Sequence, residues 1–109
     1  MPIQIANNAV ALVPLAVSGT QTTLTVTTGK GVLFPVLGAT DYFYATLVDA
    51  NGNFEIVKVT ARTDDVMTMV RAQESTLAIP FPANSRFEHR ITAATIRAIF
   101  DDADDYLLL

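Results

Sequence analysis

The sequence contains no cysteine and only one histidine, His89. Without cysteine the chain has no disulfide, no thiolate nucleophile and no thiolate metal ligand, so packing and backbone hydrogen bonds must hold the fold. A single histidine would need further ligands or a catalytic partner converging from elsewhere, so we interpret His89 as a histidine on a strand surface. The sequence also lacks a Walker-type phosphate loop and a nucleophile elbow. We therefore predict no enzyme activity and no catalytic, cofactor-binding or metal-binding residues.

Charge is scarce as well: charged residues make up 17% of the 109 residues, and the net charge is −4. The basic residues are scattered along the sequence, whereas nucleic-acid-binding proteins concentrate them on one face, so nucleic acid is not an expected partner. Half of the residues are hydrophobic, which is enough for one compact domain with a real core. This composition leaves little charged surface, and we expect part of the surface to be buried in an assembly.

The sequence has no apolar segment suited to crossing a membrane. The apolar run 9–17 is interrupted by Pro14 and is far too short to span a bilayer. The N-terminus lacks the basic region of a signal peptide. We therefore expect a soluble product with no membrane partner, located in the cytoplasm of the cell that makes it.

The sequence does contain a series of short segments typical of β-strands. They are rich in β-branched and aromatic residues and are separated by turns that contain glycine, asparagine or aspartate. The turn at 49–53 is the strongest hairpin signal, and Pro14 makes the first segment an edge strand or an extended arm. The predicted strands are 9–17, 22–28, 42–48, 54–62, 66–71 and 86–91.

This pattern predicts a mainly β fold, a small antiparallel β-sandwich or barrel of about six or seven strands with one short C-terminal helix. In the segment 54–62, strict alternation puts Val57, Val59 and Ala61 on one face of the sheet. The chain divides into an N-terminal arm or edge strand (1–18), a β domain (19–92) and a C-terminal helix with an acidic and apolar tail (93–109).

The predicted helix begins after Thr92, which can cap it, and runs from Ala93 to about Ala103. Ile96, Ile99, Phe100 and Ala103 follow helical spacing, so we expect a short amphipathic helix. Four aspartates lie at 101–105, near the end of this helix, where the macrodipole disfavours negative charge. They lack the spacing of a calcium loop, so they are either a solvated acidic tail or a contact to a basic partner.

The last four residues, Tyr106, Leu107, Leu108 and Leu109, are large and apolar. Left in water they would promote aggregation, so we expect them to be covered. They are covered either by packing within the chain or by docking into a neighbouring subunit.

Several pieces of the sequence stand in a recognisable order: 55–62, 66–71, 73–76 and 86–94, with 34–35 and 44–49 upstream. In order and spacing they resemble a module near the start of many phage tail-fibre and virion structural proteins. In that family the arginine closing the second strand is usually followed by Gly-Gln-(acidic)-Gly-Thr. This chain carries Ala72 and Ser75 at the two glycine positions. Because glycine alone reaches positive φ without cost, we expect a different loop geometry here.

The same region offers a set of charged side chains. Glu55 and Arg71 lie on predicted neighbouring strands, and Arg71 could form an ion-pair network with Glu74, Glu88 and Arg90. Such a network would hold the proline-containing loop 73–85 against the sheet. Exposed pairs of this kind contribute little, so the alternative is that these charges serve solubility alone.

The resemblance implies a structural virion protein of a tailed phage, without a cofactor: a tail- or neck-associated adaptor, fibre-attachment or collar subunit that acts by protein–protein assembly. A capsid decoration protein and a soluble binding module outside the particle remain alternatives. The expected partners are other virion proteins and further copies of this chain in a symmetric ring. The residues expected at partner interfaces are Ile3, Ile5, Val10, Leu12, Leu15, Phe81, Tyr106, Leu107, Leu108 and Leu109.

Overall fold

The computed structural model describes the backbone of residues 2–107 and the side chains of residues 2–101. This part of the chain forms six β-strands and a C-terminal α-helix, which confirms the predicted mainly β class. The elements are β1 (Val10–Val13), β2 (Thr23–Thr25), β3 (Phe43–Val48), β4 (Phe54–Thr63), β5 (Val66–Gln73), β6 (Ser85–Glu88) and α1 (Ala93–Leu107), with one 3-10 turn at Gly31–Leu33.

All six strands belong to one antiparallel sheet with the order β1-β6-β3-β4-β5-β2. The sheet curls until its two edges meet at one point, where the Thr27 N–H donates to the Leu12 carbonyl oxygen at 3.0 Å. From Leu12 toward Pro14 the two edge strands, β1 and β2, do not pair. Pro14 has no N–H group to donate to a neighbouring strand. The fold is therefore barrel-like, and the prediction that Pro14 limits an edge strand is confirmed, since β1 ends at Val13.

The core fills the concave side of this curled sheet. Phe34 lies over two strand aromatics, with ring centroids 5.9 Å from Phe43 and 5.2 Å from Phe87. Inward-facing residues alternate along the strands as the period-two pattern predicts. They include Ala11, Val13, Leu24, Ala45, Leu47, Val57, Val59, Met67 and Met69, all of which are buried.

The prediction that Ala61 lies on the same face of the sheet as Val57 and Val59 is wrong. Val57 and Val59 are buried, but Ala61 is exposed. The pairing of β4 with β5 shifts between Val59 and Ala61, so β4 carries one extra residue there. Because side chains alternate between the two faces, a one-residue insertion moves every following side chain to the opposite face.

Helix α1 begins where predicted, since the Thr95 N–H donates to the Thr92 hydroxyl oxygen at 3.2 Å. Thr95 is fully buried, and the helix packs against β3. The helix continues to Leu107 instead of ending near Ala103. No proline or glycine occurs between 93 and 107 to stop it. Within residues 2–107, no helix is long and apolar enough to cross a membrane.

Candidate functional site: a buried ion pair and an exposed apolar surface

Glu55 lies on the same buried side of β4 as Val57 and Val59, and it has no solvent exposure. It forms a two-pronged ion pair with Arg71 on β5: Nε to Oε2 and Nη2 to Oε1 are both 2.8 Å. The Arg71 side chain is only 8% exposed. This pairing confirms that the two residues lie on neighbouring strands, and their burial excludes solubility as the reason for this pair.

The ion pair binds three segments of its own chain. Glu55 also accepts hydrogen bonds from the backbone N–H groups of Ala72 (2.9 Å) and Ile79 (3.1 Å). Arg71 donates to the carbonyl oxygens of Ser18 (2.6 Å), Gln21 (2.9 Å) and Ile79 (2.8 Å). All five N–H donors of the guanidinium group therefore have an acceptor. Nothing in this pair is left over for a ligand, so its role is to hold the loops around it.

The hydrogen bonds also set the charge state of Glu55. Burial by itself raises the pKa of this carboxyl group, but the hydrogen bonds from Arg71, Ala72 and Ile79 and the positive charge of Arg71 outweigh it. The pKa of Glu55 is consequently below its ordinary value, and the ionised form is the one that the fold stabilises.

Of the predicted larger network, the Glu55–Arg71 and Glu88–Arg90 pairs form, whereas the expected links from Arg71 to Glu74 and Glu88 are wrong. Glu88 pairs with Arg86 and Arg90, whose side chains are about half exposed, and this cluster is separate from Arg71. Glu74 contacts the helix instead: its Oε1 accepts the Ala94 N–H at 2.9 Å. The loop after β5 is nevertheless held against the sheet, through Glu55 and Arg71.

The backbone is left-handed at Ala72, near the end of β5, and at Ser75, in the loop that follows β5. Ala72 has φ 57° and Ser75 has φ 65°, and Glu74 between them has φ 50°. The expected difference in loop geometry from the resembling family stays a prediction. Ala72 lies at an extra residue of β5, because the register with β4 shifts between Val70 and Gln73. The Thr76 hydroxyl oxygen accepts the Ile56 N–H at 3.1 Å and fixes the end of the loop to β4.

His89 is buried and not on a strand surface, with 8% exposure. Its ring stands edge-on to Phe43 at 5.1 Å, and its Nδ1 lies 2.8 Å from the Tyr44 carbonyl oxygen. Since a carbonyl can only accept, Nδ1 carries a proton. Nε2 is buried and has no hydrogen-bond partner among the described residues. Burial lowers the pKa of His89, partly opposed by the bond to Tyr44. Because side chains alternate along a strand, a residue two positions after the inward-facing Phe87 also faces inward, and this spacing could have predicted the burial of His89.

The residues predicted at partner interfaces divide into three groups. Ile3 and Phe81 are 2% and 1% exposed. Both side chains are covered within this chain, and Phe81 belongs to the hydrophobic core. Their backbones also form isolated bridges, Ile3 with Tyr42 and Phe81 with Val17. Those on the surface are Ile5 (56%), Val10 (47%), Leu12 (45%) and Leu15 (76%). Tyr106, Leu107, Leu108 and Leu109 lie outside the residues whose side chains the structure describes.

A second apolar surface surrounds the β3–β4 hairpin end, and sequence reasoning missed it. Phe54, Leu77 and Ile91 are 54%, 75% and 59% exposed, and we call these three residues the hairpin patch. Phe54 borders two concavities, one of about 320 Å³ with Leu77 and one of about 230 Å³ with Ile91 and Arg90. Each residue is isolated in the sequence, so only the fold brings them together.

Helix α1 carries two further exposed apolar residues. Ile96 is 45% and Phe100 is 64% exposed, and we call this pair the helix stripe. They are four residues apart and therefore lie on one side of the helix, next to the side that Thr95 buries against the sheet. The apolar side of this amphipathic helix is therefore wider than the part that packs against the sheet.

Comparison with protein-family models and with curated proteins gives no match for this sequence. Among the residues whose side chains are described, no three histidine, aspartate or glutamate side chains are grouped closely enough to hold a metal ion.

Proposed function

We propose that this chain is a structural protein of a tailed phage particle, a tail- or neck-associated adaptor, fibre-attachment or collar subunit. The observation that carries the proposal is the backbone at the end of β5 and in the loop that follows it. Ala72 and Ser75 have φ of 57° and 65°, the conformation that glycine adopts most easily. These are the two positions at which the resembling family carries glycine, so the backbone supports the resemblance where the residue types depart from it.

The distribution of polar and apolar groups supports assembly as the mode of action. The buried ion pair of Glu55 and Arg71 is fully engaged within the chain. The hairpin patch and the helix stripe, in contrast, expose five large apolar side chains on a chain with few charged residues. Large exposed apolar surfaces are typical of protein contact sites.

Mass spectrometry of purified particles tests the proposal. A phage that encodes this chain is purified by density gradient, and the copy number of the chain is measured against the major capsid protein. We expect a fixed copy number that stays with the tail or neck fraction when particles are broken. Recovery with the empty shell would support the decoration role instead, and complete absence would overturn both particle roles.

A further inference from the structure

We propose that Asn51, in the turn between β3 and β4, is a site of spontaneous covalent modification: the backbone nitrogen of Gly52 displaces the side-chain amide, and residue 51 becomes aspartate or isoaspartate. The turn 49–53 that carries Asn51 connects the two strands of the hairpin. The reaction needs only the chain itself and water. This inference goes beyond the proposed function and does not depend on it.

The residue that follows Asn51 sets it apart from the other asparagines. The chain has five asparagines, and only Asn51 is followed by glycine; the others precede asparagine, alanine, phenylalanine or serine. A side chain on the following residue hinders the approach of its backbone nitrogen to the asparagine side chain. Glycine has no side chain and the widest choice of backbone angles. Asn51 is therefore the asparagine at which the chain can most easily attack its own side chain.

The structure leaves room for this attack. Asn51 and Gly52 are both exposed, and a Cβ atom added at Gly52 would meet nothing within 4 Å. The side-chain amide of Asn51 forms no hydrogen bond within residues 2–101. Asn53, two residues away, differs because its Nδ2 donates to Asp49 Oδ2 at 2.9 Å. The Asn51 side chain is consequently free to rotate toward the Gly52 nitrogen, whereas the Asn53 side chain is held.

One hydrogen bond restrains the attacking nitrogen. The Gly52 N–H donates to the Asp49 carbonyl oxygen at 3.2 Å, which is the long end of the usual range for such bonds. This bond must open before the nitrogen can attack. Exposed backbone bonds in turns open at low cost in free energy, so the fold slows the reaction but does not prevent it.

The reaction proceeds in two balanced steps. The Gly52 nitrogen loses its proton and bonds to Cγ of Asn51, and the side-chain nitrogen takes up a proton and leaves as ammonia. A five-membered succinimide ring remains. Water then opens the ring at one of its two carbonyl carbons. Opening at Cγ gives aspartate, and opening at the main-chain carbonyl carbon gives isoaspartate, in which the backbone runs through the former side chain.

Both products change the turn. Each carries a carboxylate in place of the amide, which adds one negative charge to the net charge of −4. Isoaspartate also lengthens the backbone by one methylene group. Asp49 Oδ1 accepts the N–H groups of residue 51 and of Asn53, both at 2.9 Å. Because the length of a turn sets the register of its hairpin, a longer turn loses part of this bonding, and we expect the modified chain to be less stable.

Incubation of the purified full chain at mildly alkaline pH tests the inference, because base generates the attacking nitrogen. Ion-exchange chromatography should show a growing fraction shifted by one negative charge. Peptide mass spectrometry should locate most of the change at residue 51 and find both aspartate and isoaspartate there. In urea unfolding, the shifted fraction should unfold at a lower urea concentration than fresh protein.

Two variants serve as controls. Asn51→Gln keeps the amide but would need a larger ring, so its charge should stay constant, whereas Asn7→Gln, which lies outside the turn, should convert at residue 51 like the wild-type chain. The inference is overturned if residue 51 stays asparagine over a period in which the urea-unfolded chain converts there, if another asparagine converts first, or if aspartate forms without isoaspartate. Equal stability of fresh and shifted protein would overturn the loss of bonding in the turn.

Discussion

The buried ion pair and the exposed apolar surface differ in how completely this chain satisfies them. Every guanidinium N–H of Arg71 has an acceptor, and Glu55 accepts four hydrogen bonds, all within the chain. The hairpin patch and the helix stripe leave all five of their side chains at least 45% exposed. The buried ion pair, which its chemistry would suggest as a functional site, therefore stabilises the fold. The exposed apolar side chains are the groups that remain available to partners.

The largest effect should come from breaking the ion pair. Glu55→Gln keeps the shape of the side chain but leaves the buried charge of Arg71 unpaired, which destabilises a protein by about 3–5 kcal/mol. Urea unfolding measures this loss. The matched control is Glu88→Gln, whose arginine partners are half exposed, and it should change stability by less than about 1 kcal/mol. Equal losses in the two variants would contradict the distinction between the two ion-pair clusters.

Acid should act on the same pair. The folded-state pKa of Glu55 is lowered from the ordinary value of 4.5, so its stabilising contribution is present above that pH and is lost as the pH falls through the folded-state pKa. Unfolding measured below pH 4.5 should therefore show a steeper loss of stability in the wild-type chain than in Glu55→Gln. Parallel pH profiles for the two chains would show that the ionised form of Glu55 is not what the fold stabilises.

Glycine substitutions at the two left-handed positions, Ala72 and Ser75, should have an intermediate effect on stability, and they should raise it. Ala72→Gly and Ser75→Gly should each stabilise the chain by about 1 kcal/mol, because glycine has no steric penalty at positive φ. Ala61→Gly is the control, since Ala61 lies within β4 and has no positive φ, and it should destabilise by about 0.5–1 kcal/mol. Destabilisation in all three variants would mean that the loop does not have the described backbone.

The smallest effect should come from His89. Burial lowers its folded-state pKa below 6.5, so the folded chain binds fewer protons than the unfolded chain. Stability should therefore decline as the pH falls below about 6.5. His89→Gln can still donate to the Tyr44 carbonyl but does not titrate, and its stability should be flatter between pH 7 and 5. An unchanged slope would indicate that His89 is accessible to solvent.

Much of the fold follows from period-two patterning and turn residues. The sequence predicts six strand segments, the edge position of β1 and the start of α1, because these depend on local pattern, on Pro14 and on Thr92. The exposure of Ala61 could not be predicted, since a bulge depends on how two strands pair and not on the residues of one strand. The positions of Ile3 and Phe81 likewise depend on distant segments, because their backbones bridge to Tyr42 and Val17.

The candidate sites were predictable to different degrees. The pairing of Glu55 with Arg71 could be predicted because opposite charges fall on adjacent strands. Their full set of backbone partners could not, since Ser18, Gln21 and Ile79 lie far away in the sequence or in irregular loops. The hairpin patch was missed for a similar reason: Phe54, Leu77 and Ile91 belong to three separate segments.

Incorporation of a folded surface variant into particles tests most directly whether the chain acts by assembly through its apolar surface. A phage that lacks this gene is grown in cells that supply either the wild-type chain or Phe100→Asp, and the copies of the chain per purified particle are counted. We predict that the wild-type chain is incorporated and that Phe100→Asp, although folded and soluble, is depleted from particles. Incorporation of both chains at the same copy number, or complete infectious particles without either, would contradict the account.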